Sequence, residues 1–238
     1  MLNLLQSSVP TLESLLSPDL MARLRSLGRL SRYHDGELIF QRGDWRPHFT
    51  LVEKGQVIAG SEGVDGSYHT AALMSPGDHF GEHTLFAGLP RMQSMRAIGE
   101  VELMQIPSTS FMDVYDQEPA LGRALLVTSL RRIHLMMEFI DLQGRAPLPV
   151  RVAHLLVTSV TDNESGLAHI IECRQEDLAL ILGVSRVAVS KSLKTLQEKG
   201  LIAMHYGSVE LIDKAELLNW LKDTYQVVPV EPDKNWRF

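Results

Sequence analysis

From Pro119 to about Leu142 turn punctuation all but vanishes, while Leu126, Leu130, Ile133, Met137 and Ile140 recur at alternating steps of four and three. That spacing is a heptad seam on a long α-helix. A second stripe, Leu125, Leu135, Phe139 and Leu142, lies on another side of the same helix. A helix with two apolar sides needs two things to cover them. One side is expected to lie on a neighbouring domain, and Leu126, Leu130, Ile133, Met137 and Ile140 are expected to face a second copy of the chain in a homodimer. The alternative is a helix central to a monomer's core.

The sequence differs sharply on either side of this helix. Residues 30–107 hold short β-like runs (GELIF, FTLVEKGQVIAG, HTAALM, VELMQI) separated by glycine-rich turns at Gly43-Asp44, Gly55, Gly63, Asp65-Gly66 and Pro76-Gly77-Asp78. Such punctuation predicts an all-β barrel or sandwich, with helical residues at about 11–28 ahead of it. After the helix, GRAPLPV at 144–150 reads as a hinge. Next come a helix over about 151–161, a polar loop TDNESG, a short strand, a helical pair, and LIAMHYGSVELI, two apolar runs about Gly207-Ser208 that signal a hairpin. Asp213 caps a last helix, KAELLNWL. The expected division is a barrel domain (1–118), a dimerisation helix (119–143), the hinge (144–150), a helical domain (151–225) and a loosely ordered tail (226–238).

The helical pair carries the chemistry. RQEDLALILGVSRVAVSKSLKTLQEKGLI predicts a short helix over about 175–182, a turn at Gly183, Ser185 as N-cap, and a second helix from Arg186 to about Lys199. Val189, Leu193 and Leu196 fall on one side at i, i+4, i+7, leaving Arg186, Val187, Ser190, Lys191 and Lys194 together on the other. Ala179 is small enough for two helices to approach closely. This is the helix-turn-helix plan with a hairpin wing after it. Arginine can donate bidentately to guanine O6 and N7, lysine can take a base or phosphate, Ser190 can bond either, and Val187 can meet a thymine methyl. His205, Tyr206 and Ser208 of the wing are placed to reach phosphates.

Charge makes that surface local. The chain of 238 residues has a formal net charge of −6, with 13 basic against 17 acidic residues up to position 150 and 10 against 12 beyond it. Residues 183–200 reverse the balance, with four basic residues against one acidic, so the double-stranded DNA expected as partner meets a patch rather than a basic domain. The longest apolar runs, such as LALILGV, fall short of the roughly 20 residues a membrane span needs, and MLNLLQSSVP lacks a basic region before an apolar one. A cytoplasmic location is expected. One cysteine, Cys173, excludes an internal disulfide and a cysteine-ligated cluster within one chain.

With these motifs in order, the sequence resembles the CRP/FNR transcription regulators, the family of the cyclic-AMP receptor protein and the fumarate–nitrate reduction regulator, over roughly residues 15–222. The resemblance implies an α+β chain: an N-terminal β-barrel of the cyclic-nucleotide-binding jelly-roll type, a long dimerisation helix and a C-terminal winged helix-turn-helix. The family's recognition helix typically begins Ser-Arg-Glu-Thr-Val and continues with a basic residue; here it reads SRVAVSK. Arg186 and Lys191 are thereby implied to read bases, with Ser185 and Ser208 beside them. Val187 replaces a glutamate that accepts from cytosine, so the familiar operator is not expected.

PGDHFGEHTLFAGLPRMQSMRA, residues 76–97, resembles the family's phosphate-binding cassette. The resemblance implies backbone N–H groups after Gly81, through Glu82, His83 and Thr84, facing an anion, with Arg91 as a charged clamp and Glu82 accepting from a ribose hydroxyl. Where the family's cyclic-AMP binders place hydroxyls, this chain has Met92, Met136 and Met137. An adenine amino group would lose its partners, at about 1–3 kcal/mol for an unpaired buried donor, so cyclic AMP is not expected to bind by the standard contacts. Methionines make an adaptable apolar wall that suits another nucleotide, a dinucleotide or a lipid-like ligand, or serve only as packing. His69, His79, His83 and His134 raise haem, but no attachment motif accompanies them, and no metal site is expected.

The expected function is therefore a homodimeric, allosterically controlled DNA-binding regulator with an unidentified effector and RNA polymerase as a further partner. A ligand-binding or protein-docking module whose winged helix no longer reads DNA is the rival. Enzyme activity is not expected: no nucleophile–base pair or carboxylate dyad appears.

Overall fold

A computed structural model describes residues 9–62, 68–160 and 169–226. The turn at 63–66, the loop TDNESG and the tail from 227 onward lie outside the described residues, as do the side chains of His69 and Glu172. Two compact units form: one spans Val9–Ile133, and the other is built from residues after Ile133.

In the first unit, α1 (Leu12–Leu15) and α2 (Pro18–Ser26) are each opened by a hydroxyl: Thr11 accepts from the Ser14 N–H and Ser17 from the Leu20 N–H. Pro18 has no N–H to donate, so the helical stretch expected over 11–28 becomes two pieces. The strands β1 (Arg29–Tyr33), β2 (Leu38–Phe40), β3 (His48–Glu62), β4 (Tyr68–Met74), β5 (His79–Phe80) and β6 (Ser94–Pro107) form one antiparallel sheet. Its order is β1-β6-β3-β4, with β2 on β6 and β5 on β3. Ile39, Phe40, Val52, Val57, Phe80 and Leu103, drawn from four of these strands, pack as one cluster and form the interior of the expected jelly-roll fold. A second cluster, including Leu12, Leu24, Phe49, Ile106, Phe111 and Leu121, lies beneath the helices.

Residues 108–118, for which the sequence pattern predicts no element, hold α4 (Ser108–Gln117). Its buried anchors are only Phe111 and Val114, three apart, too few to announce a helix by periodicity. The long helix α5 (Pro119–Arg145) follows. Its second apolar stripe is shared out: Leu125 belongs to the first unit's core, and Leu142 and Phe139 to the second unit's.

The second unit continues with α6 (Leu148–Thr158), β7 (His169–Glu172), α7 (Gln175–Leu182), α8 (Arg186–Glu198), β8 (Ile202–His205), β9 (Ser208–Leu211) and α9 (Lys214–Tyr225). Of the segment 144–150 expected as a hinge, Gly144 and Arg145 are still helical in α5, and α6 begins at Leu148 with Pro149 in its first turn. The break is Ala146 and Pro147, because a proline is tolerated ahead of a helix but not inside one. Val150, Leu155, Leu178, Val189, Leu193 and Leu221 form the core here, against a sheet ordered β7-β9-β8.

Candidate functional site

Two groups of side chains stand out, one in each unit. In the second, α7 ends at Gly183, whose φ of 64° and ψ of 37° lie in the left-handed region that glycine enters at little cost. The chain reverses there, and the Ser185 hydroxyl accepts from the Ala188 N–H at 3.2 Å to start α8. Leu178, Ala179 and Leu182 of α7 and Val189, Leu193 and Leu196 of α8 are buried. That anchoring turns Arg186, Val187, Lys191 and Lys194 to solvent, with Ser190 half-buried among them. Val187 is 64% exposed, a large apolar group with nothing packed over it.

The wing is held beside this face. The Cys173 N–H donates to the Gly207 carbonyl at 2.9 Å, which ties the β8–β9 turn to the end of β7. Tyr206 is fully exposed at the tip, Ser208 is half-buried, and His205 lies 2.8 Å from Glu210. Arg174, Glu176, Arg186, Met204, Tyr206 and Ser208 are among the residues lining an open cleft of about 980 Å³ between the wing and the starts of α7 and α8. Arg186 Nε lies 3.0 Å from Glu176 and Lys194 3.8 Å from Glu198. Cys173 is buried, and burial pushes its thiol up to about 12. It is therefore a packing residue rather than a nucleophile.

In the first unit, Gly81 joins β5 to α3 (Glu82–Phe86) at a φ of 115°. A Cβ there would lie 2.1 Å from the His48 carbonyl oxygen, so the turn passes too close to β3 for any other residue. Thr84 is buried and His83 exposed. Glu82, expected to accept from a sugar hydroxyl, is engaged by the chain's own side chains: Oε1 is 2.8 Å from His79 Nε2 and 3.3 Å from Arg132. Arg132 also donates to the His79 carbonyl at 3.1 Å, and Thr128 Oγ1 lies 3.3 Å from His79 Nε2. The His79 ring is 1% exposed and stacks on Phe49 at 5.5 Å. Burial alone would raise the pKa of Glu82, but His79 and Arg132 outweigh it and hold the carboxyl at about 2.

Arg91 is buried, its guanidinium 3.7 Å above the Phe40 ring. Burial lowers its pKa to about 10. Burial, then Arg91 and Arg46, depress His48 as well. Arg91 Nε and His48 Nδ1 are both buried with no hydrogen-bond partner among the described residues. Asp44, 2.6 Å from Arg46, and more weakly Glu82 are the acids that offset the burial of Arg91. The three methionines expected as an apolar wall all face solvent in the single chain: Met92 is 67%, Met136 63% and Met137 65% exposed. Met137 shares the stripe of Leu126, Leu130, Ile133 and Ile140, all more than half exposed.

Of the histidines weighed for haem, His79 has its Nε2 committed to Glu82, and His134 lies 3.6 Å from Glu138. Among the described residues no group of three or more His, Cys, Asp or Glu side chains is arranged to hold a metal ion. No described helix is long and apolar enough to cross a membrane.

Residues 30–118 match the cyclic nucleotide-binding domain family and residues 150–220 the Crp-like helix-turn-helix domain family. The chain belongs to the CRP/FNR family of transcription regulators. One relative, the cyclic AMP receptor protein of Thermus thermophilus, is 29% identical over 78% of this chain and 84% of its own length. The CRP-like cAMP-activated global transcriptional regulator of Mycobacterium tuberculosis is 26% identical over 76% of this chain and 83% of its own. A structure of a CooA mutant from Carboxydothermus hydrogenoformans superposes with a TM-score of 0.74 at 18% identity, covering 90% of this chain and 99% of that one. At that identity the likeness shows the fold.

Sequence reasoning missed Arg132, Thr128 and Phe40 in this CRP/FNR barrel and Glu176 beside α8. A signal for two of them was present. Thr128 and Arg132 follow the core residue Leu125 at i+3 and i+7, and an arginine on a core-facing stripe needs a buried acid to meet it.

Proposed function

We propose that this CRP/FNR regulator acts as a homodimer that reads a near-palindromic duplex site. Arg186, Val187, Ser190, Lys191 and Lys194 enter the major groove, and Ser185, Ser208 and the wing lie along the backbone. The observation that carries the reading is the division of α8. Val189, Leu193 and Leu196 are at most 1% exposed, and the opposite side presents bases and an uncovered valine, with Gly183, the Ser185 cap and the wing fixing its direction. The exposed heptad stripe on α5 supports the dimer, because five large apolar residues in a row are otherwise left in water. Two recognition helices about one DNA turn apart then address two half-sites.

The barrel supports control by an anionic effector. Arg91 Nε is a buried donor and His48 Nδ1 a buried ring nitrogen, neither with a hydrogen-bond partner among the described residues, and an anionic group would answer the arginine. The Thermus thermophilus relative is named for cyclic AMP. In this chain Met92, Met136 and Met137 supply no hydroxyl for an adenine amino group, and the effector is read as an anion held without those contacts. Its binding would shift the two α5 helices and, across Ala146 and Pro147, the winged units. RNA polymerase is the further partner through which transcription responds, and the protein is not an enzyme.

The test is a selection from random duplexes with the full chain, followed by footprinting at low and high salt. A two-fold symmetric site whose affinity falls steeply with salt is expected. Arg186→Ala with Lys191→Ala should lose the site and keep the fold. A chain that selects no sequence, or that remains monomeric by sedimentation, would overturn the reading.

A further inference from the structure

We infer that Glu176 is a specificity-determining residue of the DNA interface: its carboxylate holds Arg186 by Nε, so that the guanidinium meets a base only through its terminal nitrogens. The inference rests on the reading of α8 as the recognition helix, and adds to it a residue of α7.

The geometry begins with the two acids in the first turn of α7. Asp177 turns back, its carboxylate accepting from the Arg174 N–H at 3.1 Å to cap the helix. Glu176 turns the other way, across to α8, where it meets Arg186 Nε at 3.0 Å. The two helices are fixed relative to each other by the left-handed Gly183 and the buried Ala179, Leu182 and Val189. The carboxylate and the arginine's backbone therefore stand on one rigid frame. Among the exposed cations of α8, Arg186 alone is tied to another element in the described residues: Lys194 pairs within its own helix, with Glu198.

Guanine can be read bidentately either by the Nε and one terminal nitrogen of an arginine or by its two terminal nitrogens. With Nε occupied, only the second mode remains. In water the pair is worth little, since the arginine side chain is 67% and the glutamate 57% exposed. A docked duplex excludes that water and strengthens the contact. The same carboxylate also stands against the phosphates. On a site that gives Arg186 no guanine, Glu176 remains as a like charge facing the backbone, and binding weakens. One acid thus favours the right base and penalises the wrong sequence.

The two effects of Glu176 separate in a pair of variants. Glu176→Gln keeps an oxygen to accept from Nε and loses the charge; Glu176→Ala loses both. Affinities would be measured by fluorescence anisotropy for the selected duplex, for the same duplex with the guanine read by Arg186 exchanged for adenine, and for an unrelated duplex. Both variants should bind the unrelated duplex about 3–10-fold more tightly than the parent chain. Glu176→Ala should narrow guanine-over-adenine discrimination by about 5-fold, whereas Glu176→Gln should retain it within about 2-fold. In the Arg186→Ala background, Glu176→Ala should leave discrimination unchanged. Undiminished or sharper discrimination in Glu176→Ala overturns the inference while leaving Arg186 a reader. If Arg186→Ala keeps every base preference, α8 is not read through Arg186, and the recognition-helix assignment falls first.

Discussion

Arg91 and Arg186 face opposite problems. Arg91 is 6% exposed, lies on the Phe40 ring and keeps a buried Nε without a hydrogen-bond partner among the described residues; Arg186 is solvated and meets one carboxylate on a neighbouring helix. Around Arg91 the barrel has nearly completed its own electrostatics, with Glu82 answered by His79 and Arg132 and Asp44 by Arg46. Around Arg186 the pairs are exposed ones, Arg186 with Glu176 and Lys194 with Glu198. A site that takes in a small effector has to be held in shape while empty, and internal ion pairs do that. A surface that meets duplex DNA can leave its charges to water, because the partner supplies the counter-charges. The barrel's polar residues should therefore matter first to folding, and those of α8 to binding.

The largest expected break in that contrast is Glu82→Ala. It strands His79 and Arg132 in a mostly buried setting, and removing one partner of a buried pair costs about 3 kcal/mol. Chemical denaturation followed on the barrel's own Trp45 should show that loss. The acid side of the stability curve tests the same pair. The folded-state pKa of Glu82 lies at about 2, below its ordinary 4.5, so its contribution is fully present above pH 4.5 and drains away as pH falls from there toward 2. The size implied is again about 3 kcal/mol, and Glu82→Ala should flatten that limb. Unchanged stability or an unchanged limb would mean that the cassette is not held by this pair.

Lys191→Ala is the counterpart on α8. It should leave the denaturation midpoint within about 0.5 kcal/mol of the parent and weaken binding to the selected duplex by about 1–2 kcal/mol. A midpoint that drops with affinity would erase the distinction between the two regions.

How far each region could be read from sequence follows the same division. The exposed face of α8 was visible because its logic is local: Val189, Leu193 and Leu196 set the phase of one helix, Gly183 and Ser185 set its start, and the outward residues follow from counting. The cassette was visible only as a likeness, Gly81, Glu82 and Arg91 in order. What those residues touch was not visible, because Arg132 lies 50 positions from Glu82 and Phe40 51 from Arg91, and no period links them. α4 escaped for a related reason, its two buried anchors being too few to outweigh the neighbouring β pattern. The break between α5 and α6 came out shorter than the proline-rich stretch suggested, since Pro149 fits the first turn of a helix as readily as a linker.

The finest test of the contrast lies within the cassette, between two histidines four residues apart. His79 is enclosed, with Nε2 on Glu82 and its ring on Phe49, and replacing it by alanine opens a cavity and leaves the carboxylate to Arg132 alone. About 2 kcal/mol of stability should go with it. His83 is exposed on α3, with no hydrogen bond or ion pair from its side chain among the described residues, so His83→Ala should change stability by no more than about 0.5 kcal/mol. Measured side by side in urea, the two variants lose the same side chain, one enclosed in β5 and one exposed on α3. A His83 variant as damaged as the His79 variant would show that cassette integrity depends on α3 as a whole. The ion pairs beneath it would then not be what keeps the empty site in shape.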